Sequence, residues 1–381
     1  MEVALYLKHF PANGAPLAGG TSIAVDGLAA GLAANGARVT VLCEGRERRT
    51  VGADGGYTIE CFANARGYRT FTLAPELGRY VATRLTARGD MCLVNGMFHP
   101  GAYAMGRLLH RHGVPYVVAP HSTYNRAVFR KNAHLKWPYW YLFERGLLER
   151  AQAIQVFDAS HGTWLRELGV ATAFIESANG IAPGSVPAES QLRWSARGAP
   201  ANLLFFGRID ADTKGLDLLL DACARVAAWA DVRVTVQGPD GGDRAALEKR
   251  AARLAISDRA VFRGPDYERP PPQVIGEYDV LCLPSRSEGF GLTGLEAMLA
   301  ARVLLVSERA GIARHVRASD CGIAVRPTVA GIEAGLRTLF GRRAKWREMG
   351  LRGRRYALTN LQWQDIARDV LAQYAALARR P

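Results

Sequence analysis

The chain lacks any uninterrupted apolar run of the roughly 18 residues that a membrane-spanning helix needs. Its best stretch, Leu292 to Val306, is broken by Glu296 and Arg302. CxxC pairs and local Cys/His clusters are missing too. The six cysteines, at positions 43, 61, 92, 223, 282 and 321, lie far apart, which argues against a disulfide framework and a structural zinc. Their apolar contexts read as buried free thiols in a reducing compartment. Where an export signal needs a basic leader, the chain has Glu2 and the strand-like run VALYL. These absences argue against an integral membrane protein and a secreted one, and point to the cytoplasm.

What is present suits a large folded chain. At 381 residues, 49% hydrophobic and 22% charged, it has apolar mass for two or three domains. Net charge is +14, yet only six of the 49 basic residues are Lys. An arginine-rich basic surface favours phosphorylated ligands, anionic membrane or nucleic acid without choosing among them. No helix-turn-helix, zinc or RNP signature accompanies it, so nucleic acid is not expected as a partner.

Short apolar runs alternate with longer amphipathic ones. VALYL (3–7) precedes a helical stretch from Thr21 to Asn35, then RVTVLC (38–43), MCLVN (91–95), a helix over 102–112, PYVVA (115–119), AIQVF (153–157) and AFIES (173–177). Residues 181–201, with proline and glycine but no long apolar period, read as a linker. The alternation restarts with NLLFF (202–206), a helix over 215–229, VRVTV (232–236), a helix over 243–254, AVF (260–262), DVLCL (279–283), a helix over 293–300, VLLVS (303–307) and GIAV (322–325). Helices over 330–341, 344–358 and 362–379 close the chain. Such βαβ alternation predicts two doubly wound α/β units with parallel sheets, their ligand between the units or at the strand C-termini.

Two loops carry the chemistry. From Ser285 to Leu299 the chain runs SRSEGFGLTGLEAML, after a buried strand and into a helix. Gly289 and Gly291 let backbone amides approach a ligand, and the helix start behind them suits phosphate. Glu288 could accept hydrogen bonds from sugar hydroxyls and Glu296 could take a ribose diol. Equally, Thr293-x-x-Glu296 has the spacing of a capping box, and Glu288 could be a solvated loop carboxylate. In the second loop, Phe206-Gly-Arg208 leads to Lys214-Gly215. A planar fork and a point charge six residues apart fit a diphosphate, though exposed basic residues are the plainer reading. Asp210 and Asp212 raise a DxD metal site, but no further oxygen ligands accompany them, and no metal is expected.

Taken in order, GR-(x)5-KG and E-G-F-G-(x)4-E-A-M resemble the family 4 (group 1) glycosyltransferases. The likeness extends to Ala18-Gly19-Gly20, Ala119-Pro120-His121, Asn179-Gly180-Ile181, Gln237-Gly238-Pro239-Asp240-Gly241 and the tail from Gln362. It implies the α/β GT-B architecture, in which two doubly wound Rossmann-like domains have parallel sheets facing a central cleft. It implies an N-terminal acceptor-side domain over 1–180 with the helix 362–381 packing back on it, a linker over 181–201, and a nucleotide-sugar-binding domain over 202–361. The implied activity is that of a retaining, metal-independent hexosyltransferase in cell-surface polysaccharide or glycoconjugate assembly. Its donor is a nucleoside-diphosphate sugar and no separate cofactor is needed. By the same resemblance, Arg208 and Lys214 hold the diphosphate, Glu288 the transferred sugar and Glu296 the ribose. Gly19, Gly20, Gly238 and the amides of Gly289, Phe290, Gly291 and Leu292 border the donor. His121 sits beside the sugar, unless it is a core or capping histidine. Donor base, donor sugar and acceptor are not given.

The chain departs from the family pattern at three places. Ala301-Arg302-Val303 stands for Gly-x-Pro, Arg314 for an acid, and Ala182 for the Asp of Asn-Gly-Ile-Asp. Arg314 leaves a non-catalytic member open. Other classes fit less well: a sugar-nucleotide epimerase needs an acid/base pair, a phosphorylase a cofactor lysine, and a dehydrogenase a G-x-G-x-x-G after the first strand. Residues 122–150 interleave Arg126, Arg130, Lys131, Lys136, Arg145 and Arg150 with seven aromatics. This reads either as a patch for anionic membrane on the inner face, serving a lipid-linked rather than a soluble glycan acceptor, or as an ordinary helix 137–150. In the second reading Pro138 lies in the first turn and the aromatics are packed.

Overall fold

The computed structural model describes residues 1–12, 17, 19–64, 66, 70–85, 89–182, 184–195 and 199–378. Ala18 of the expected glycine turn, Pro183 and residues 196–198 of the expected linker, and residues 379–381 of the tail lie outside them. Two units result, one of residues 1–182 with 362–381 and one of residues 183–361.

In the first unit the strands are β1 (Glu2–Tyr6), β2 (Arg38–Gly45), β3 (Arg49–Gly52), β4 (Thr58–Ala63), β5 (Met91–Asn95), β6 (Tyr116–Ala119), β7 (Ala153–Val156) and β8 (Phe174–Glu176). They form one sheet in the order β3-β4-β2-β1-β5-β6-β7-β8. All neighbours are parallel except β3 and β4, an antiparallel edge hairpin. That hairpin adds one antiparallel edge strand to the parallel sheet that was expected. Of its strands, β3 is short and exposed throughout, so it carries no apolar run. Central strands such as β5 are buried along their whole length, because helices cover both faces.

The second unit holds β9 (Ala201–Phe206), β10 (Val232–Gln237), β11 (Ala260–Arg263), β12 (Val280–Leu283), β13 (Val303–Ser307) and β14 (Gly322–Val325), all parallel, in the order β11-β10-β9-β12-β13-β14. This is the doubly wound order, with the strand order reversing between β9 and β12, as it does between β1 and β5 in the first unit. Ligands of such sheets bind outside the strand ends at these reversals.

Three local expectations are met or corrected. The first, the helix expected over 215–229, runs over Leu216–Val226, after a separate turn Ala211–Lys214 that ends at Gly215, whose φ is 68°. A Cβ on Gly215 would lie 2.4 Å from the Pro284 carbonyl oxygen, so only glycine fits. The second concerns Pro138, which lies inside a helix begun at Ala133, not in a first turn. Having no N–H, it breaks the regular ladder, and a π-helical turn Trp140–Glu144 follows before Arg145–Glu149. Finally, no capping box forms at Thr293. The helix Leu292–Leu299 is capped by Gly291, and Thr293 already lies within it.

The departure at Ala301 has a backbone reason to be noticed. Its φ is 55°, and Arg302 N–H donates to the Ala297 carbonyl while Ala301 N–H donates to that of Met298. This is a Schellman stop at the position that glycine usually fills. Buried Arg302 donates to the Ala300 and Tyr278 carbonyls and lies over the Trp194 ring, fastening part of the linker to its own unit.

The terminal helix Trp363–Ala378 packs on the helix Gly20–Ala34 of the first unit. A Cβ on Gly27 would stand 2.0 Å from Trp363 Nε1, and one on Gly180 would stand 2.7 Å from the same indole. Gly27→Ala is therefore expected to destabilise by about 1–3 kcal/mol through overpacking. Gly78→Ala, in a helix with nothing within 4 Å of the new methyl, is expected to stabilise by about 0.5–1 kcal/mol. Denaturant unfolding of both variants checks this, and equal shifts would contradict the packing described.

Candidate active site

Unit two concentrates its polar chemistry where β9 and β12 end. Arg208 follows β9 and is exposed, and Lys214 ends the turn that follows it. Lys214 Nζ lies 2.8 Å from Glu288 Oε2, with both side chains largely buried. Ser285 Oγ donates to the same Oε2 at 3.0 Å. Glu288 Oε1 has no partner among the described residues.

A clamp that the sequence did not reveal holds the two loops together. Arg286 forks onto Asp217 at 2.8 and 2.7 Å and donates to the Asp212 carbonyl at 3.0 Å. The amides of Arg286 and Ser287 both donate to the Thr213 carbonyl. Its partners lie about 70 residues apart in the chain, so no local spacing could disclose it. Asp210 is occupied in the same turn: its carboxylate accepts from Thr213 N–H at 2.9 Å as a helix cap. Asp212 faces Arg286 at 4.0 Å. Among the described residues no group of three or more His, Cys, Asp or Glu could hold a metal ion.

The helix Leu292–Leu299 starts at the β12 loop with no side-chain cap, so its first amides point outward as donors. The loop is braced from behind, where Gly311 and Ile312 N–H donate to the Gly289 and Phe290 carbonyls. Phe290 is buried with its ring edge-on to His315, and Arg314 donates to His315 Nε2 at 3.2 Å. The side-chain carboxyl of Glu296, one turn into the helix, forms no hydrogen bond or ion pair with any described residue. Burial pushes its carboxyl up to about 7. Gly238 follows β10, and a Cβ there would meet the Gly207 carbonyl oxygen at 2.0 Å; its absence lets this turn close against the Arg208 turn. Thus Arg208, Lys214, Gly238, Glu288–Leu292 and Glu296 all lie along the carboxyl edge of one sheet. Of these, Lys214 and Glu288 are in direct contact.

Unit one has its own edge. Gly19, with φ 92°, precedes the helix that begins at Gly20, and both are exposed. His121 follows β6 with φ 57°, and its Nε2 lies 2.6 Å from Asn95 Oδ1 at the end of β5. Desolvation lowers its imidazole to about 4. Sequence reasoning picked out His121 and passed over Asn95, the last residue of an apolar run.

Two doubly wound units, each with its polar groups at the reversal of its sheet, define the GT-B class of fold. Solved structures agree: sucrose-phosphate synthase from Thermosynechococcus elongatus matches with a TM-score of 0.77 at 20% identity, covering 99% of this chain and 98% of that one. Anabaena HepE in complex with UDP and glucose matches at 0.71 and 16%, covering 99% and 100%. The glycosyl transferase 4-like domain model matches residues 19–176 and the glycosyl transferases group 1 model residues 200–341. The chain belongs to this glycosyltransferase family.

Among curated relatives, a D-inositol 3-phosphate glycosyltransferase of Nocardia farcinica is 33% identical over 183 residues, which are 45% of this chain and 40% of that protein. An MMP alpha-(1->4)-mannosyltransferase of Mycolicibacterium hassiacum is 34% identical over 177 residues, 45% and 42% respectively. The chain thus spans about two fifths of the length of these relatives.

The isolated carboxyl of Glu296 gives a pH-dependent prediction. With its folded value near 7 against an ordinary 4.5, the folded state holds the proton more tightly than the unfolded one. Stability from the neutral form is complete below about pH 4.5 and is lost as pH rises through about 7. Glu296→Gln cannot ionise, so it is expected to stabilise the ligand-free protein by about 1–3 kcal/mol at pH 8 and by nothing at pH 4.5. Thermal unfolding at the two pH values checks this. An equal effect at both would mean that the carboxyl is not desolvated.

Proposed function

We propose that the chain transfers a hexose from a nucleoside-diphosphate sugar to a hydroxyl acceptor, keeping the donor's anomeric configuration, in polysaccharide or glycoconjugate assembly. The carrying observation is the β9/β12 edge: a largely buried Lys214–Glu288 pair one loop away from the unpartnered, desolvated Glu296 carboxyl. In this reading Lys214 turns from Glu288 to the diphosphate, joined by Arg208 and the outward amides of the Leu292–Leu299 helix. Glu288 is thereby released to accept from sugar hydroxyls, and Glu296 takes the ribose diol. As the bond from the anomeric carbon to the diphosphate oxygen breaks, its electron pair goes to that oxygen, while the acceptor hydroxyl oxygen bonds the same carbon from the same face and gives its proton to the departing diphosphate. Two cations and oriented amides stabilise the charge most where it develops, in the transition state. No metal is invoked, since the carboxylate of Asp210 already caps a turn. The relatives, an inositol 3-phosphate glycosyltransferase and a mannosyltransferase by name, and the UDP and glucose bound to HepE support a nucleotide-sugar donor.

Arg208→Ala and Lys214→Ala should each lower turnover about 10²–10³-fold while the protein stays folded, and wild-type turnover should survive EDTA. Unchanged rates in both variants would make the loop merely solvated. Loss with EDTA and recovery with Mg²⁺ would return Asp210 and Asp212 to the role of ligands.

The reading places the chain in the cytoplasm at an anionic membrane face, with a lipid-linked glycan as acceptor. No helix among the described residues is long and apolar enough to cross a membrane. Trp140, Tyr124 and Phe129 are buried in the core, Lys136 donates to the Val128 carbonyl and Arg145 pairs with Glu149. Those groups are unavailable to lipid. What remains outward on the helix from Ala133 is Leu135, Tyr141 and Leu142, 63–68% exposed, beside exposed Arg126. Apolar side chains beside a cation suit a headgroup layer, the cation contributing about 1 kcal/mol. Co-sedimentation with phosphatidylserine vesicles is expected at low salt and should weaken at high salt and in Leu135→Asp/Leu142→Asp. No binding at low salt would favour a soluble acceptor.

A further inference from the structure

The pairing of Asn95 with His121 fixes more than a contact. The Asn95 amide nitrogen donates to the Tyr6 carbonyl at 3.0 Å and to the Leu93 carbonyl at 3.3 Å. Carbonyls only accept, so the amide has one orientation, with Oδ1 turned to His121 Nε2 at 2.6 Å. An amide oxygen cannot donate, and the proton in this bond therefore belongs to Nε2.

We propose that Asn95 is a positioning residue that holds His121 as the neutral Nε2–H tautomer, presenting Nδ1 as a bare acceptor for a sugar hydroxyl. The proposal rests on the sugar-transfer reading above and names how one of its residues works.

Three further observations bear on it. His121 is left-handed, a conformation uncommon for a residue with a side chain and kept where the surroundings over-determine it. Asn95 is itself buried at the end of β5, so the anchor is rigid. The small cavity beside the ring brings in neutral groups only: Ala24 and Leu28 from the first helix, Gln155 from β7, Ser177 and Asn179 after β8, and Trp363. Phe157 lies with its ring 6.3 Å away. No carboxylate or cation among the described residues perturbs the imidazole, which desolvation alone moves down to about 4. A ring neutral from pH 5.5 to 8 cannot act as a general acid there. It can accept one hydrogen bond through Nδ1, and its substrate must supply the proton.

The test reads the tautomer and the catalysis separately. In the intact wild-type protein with 15N-labelled histidine, His121 (assigned by loss in His121→Gln) should show protonated Nε2 and unprotonated Nδ1 from pH 5.5 to 8. Asn95→Asp places a carboxylate on Nε2, which raises the imidazole pKa and makes Nδ1 a donor when the ring charges. Its kcat should gain an acid limb within that range, following the measured histidine titration, where the wild-type profile is flat. Asn95→Ala should mix the tautomers and lower kcat about tenfold, the size of one lost hydrogen bond. A protonated Nδ1 in the wild type, or tautomer and pH profile unchanged in both variants, would overturn the proposal. The expected tautomer in a protein that transfers no sugar would instead overturn the functional reading and leave the geometry standing.

Discussion

The ion pair between Lys214 and Glu288 is the interaction on which the second unit's edge depends. It joins the loop after β9 to the loop after β12, the two strands between which the sheet reverses. Each partner would be costly alone in so buried a place, since an unpaired charge loses its hydration without return. Together they keep a cation and a carboxylate ready at one point, and a ligand carrying both phosphate and hydroxyls can exchange with each. The Arg286–Asp217 fork and Gly215 hold the loops close enough for the pair to form. Glycines at 215 and 238 are thus requirements of approach between backbones, not of flexibility.

Much of the fold was legible because parallel strands buried on both faces are continuous apolar runs. MCLVN, VLLVS and VLCL announce themselves in that way, and helices between them leave little choice but a doubly wound sheet. The β3–β4 hairpin was not legible, because an exposed edge strand has no apolar signature. Pro138 misled for a related reason: proline is common in first turns, and only the packing of Trp140 and Leu147 into the core carries the helix through it.

At the site, motif order disclosed which residues lie at strand ends but not what they touch. Arg208, Lys214, Glu288 and Glu296 could be named from spacing, whereas the contact across 74 positions and the isolation of Glu296 are properties of the folded chain. The same holds for Asn95, 26 positions from His121. Its side chain matters only because β5 and β6 are neighbours. The capping-box spacing at Thr293 shows the converse, a local pattern overruled when Gly291 starts the helix earlier.

The central claim is that the β9/β12 edge cradles a nucleoside diphosphate while its sugar is transferred with retention. Proton NMR of the product formed from an α-linked UDP-, GDP- or ADP-hexose, with vesicle-borne or soluble glycan acceptor, tests it most directly. The account predicts one nucleoside diphosphate released per α-linked hexose transferred. A β-linked product, or no consumption of any of the three donors by the folded protein, would contradict it.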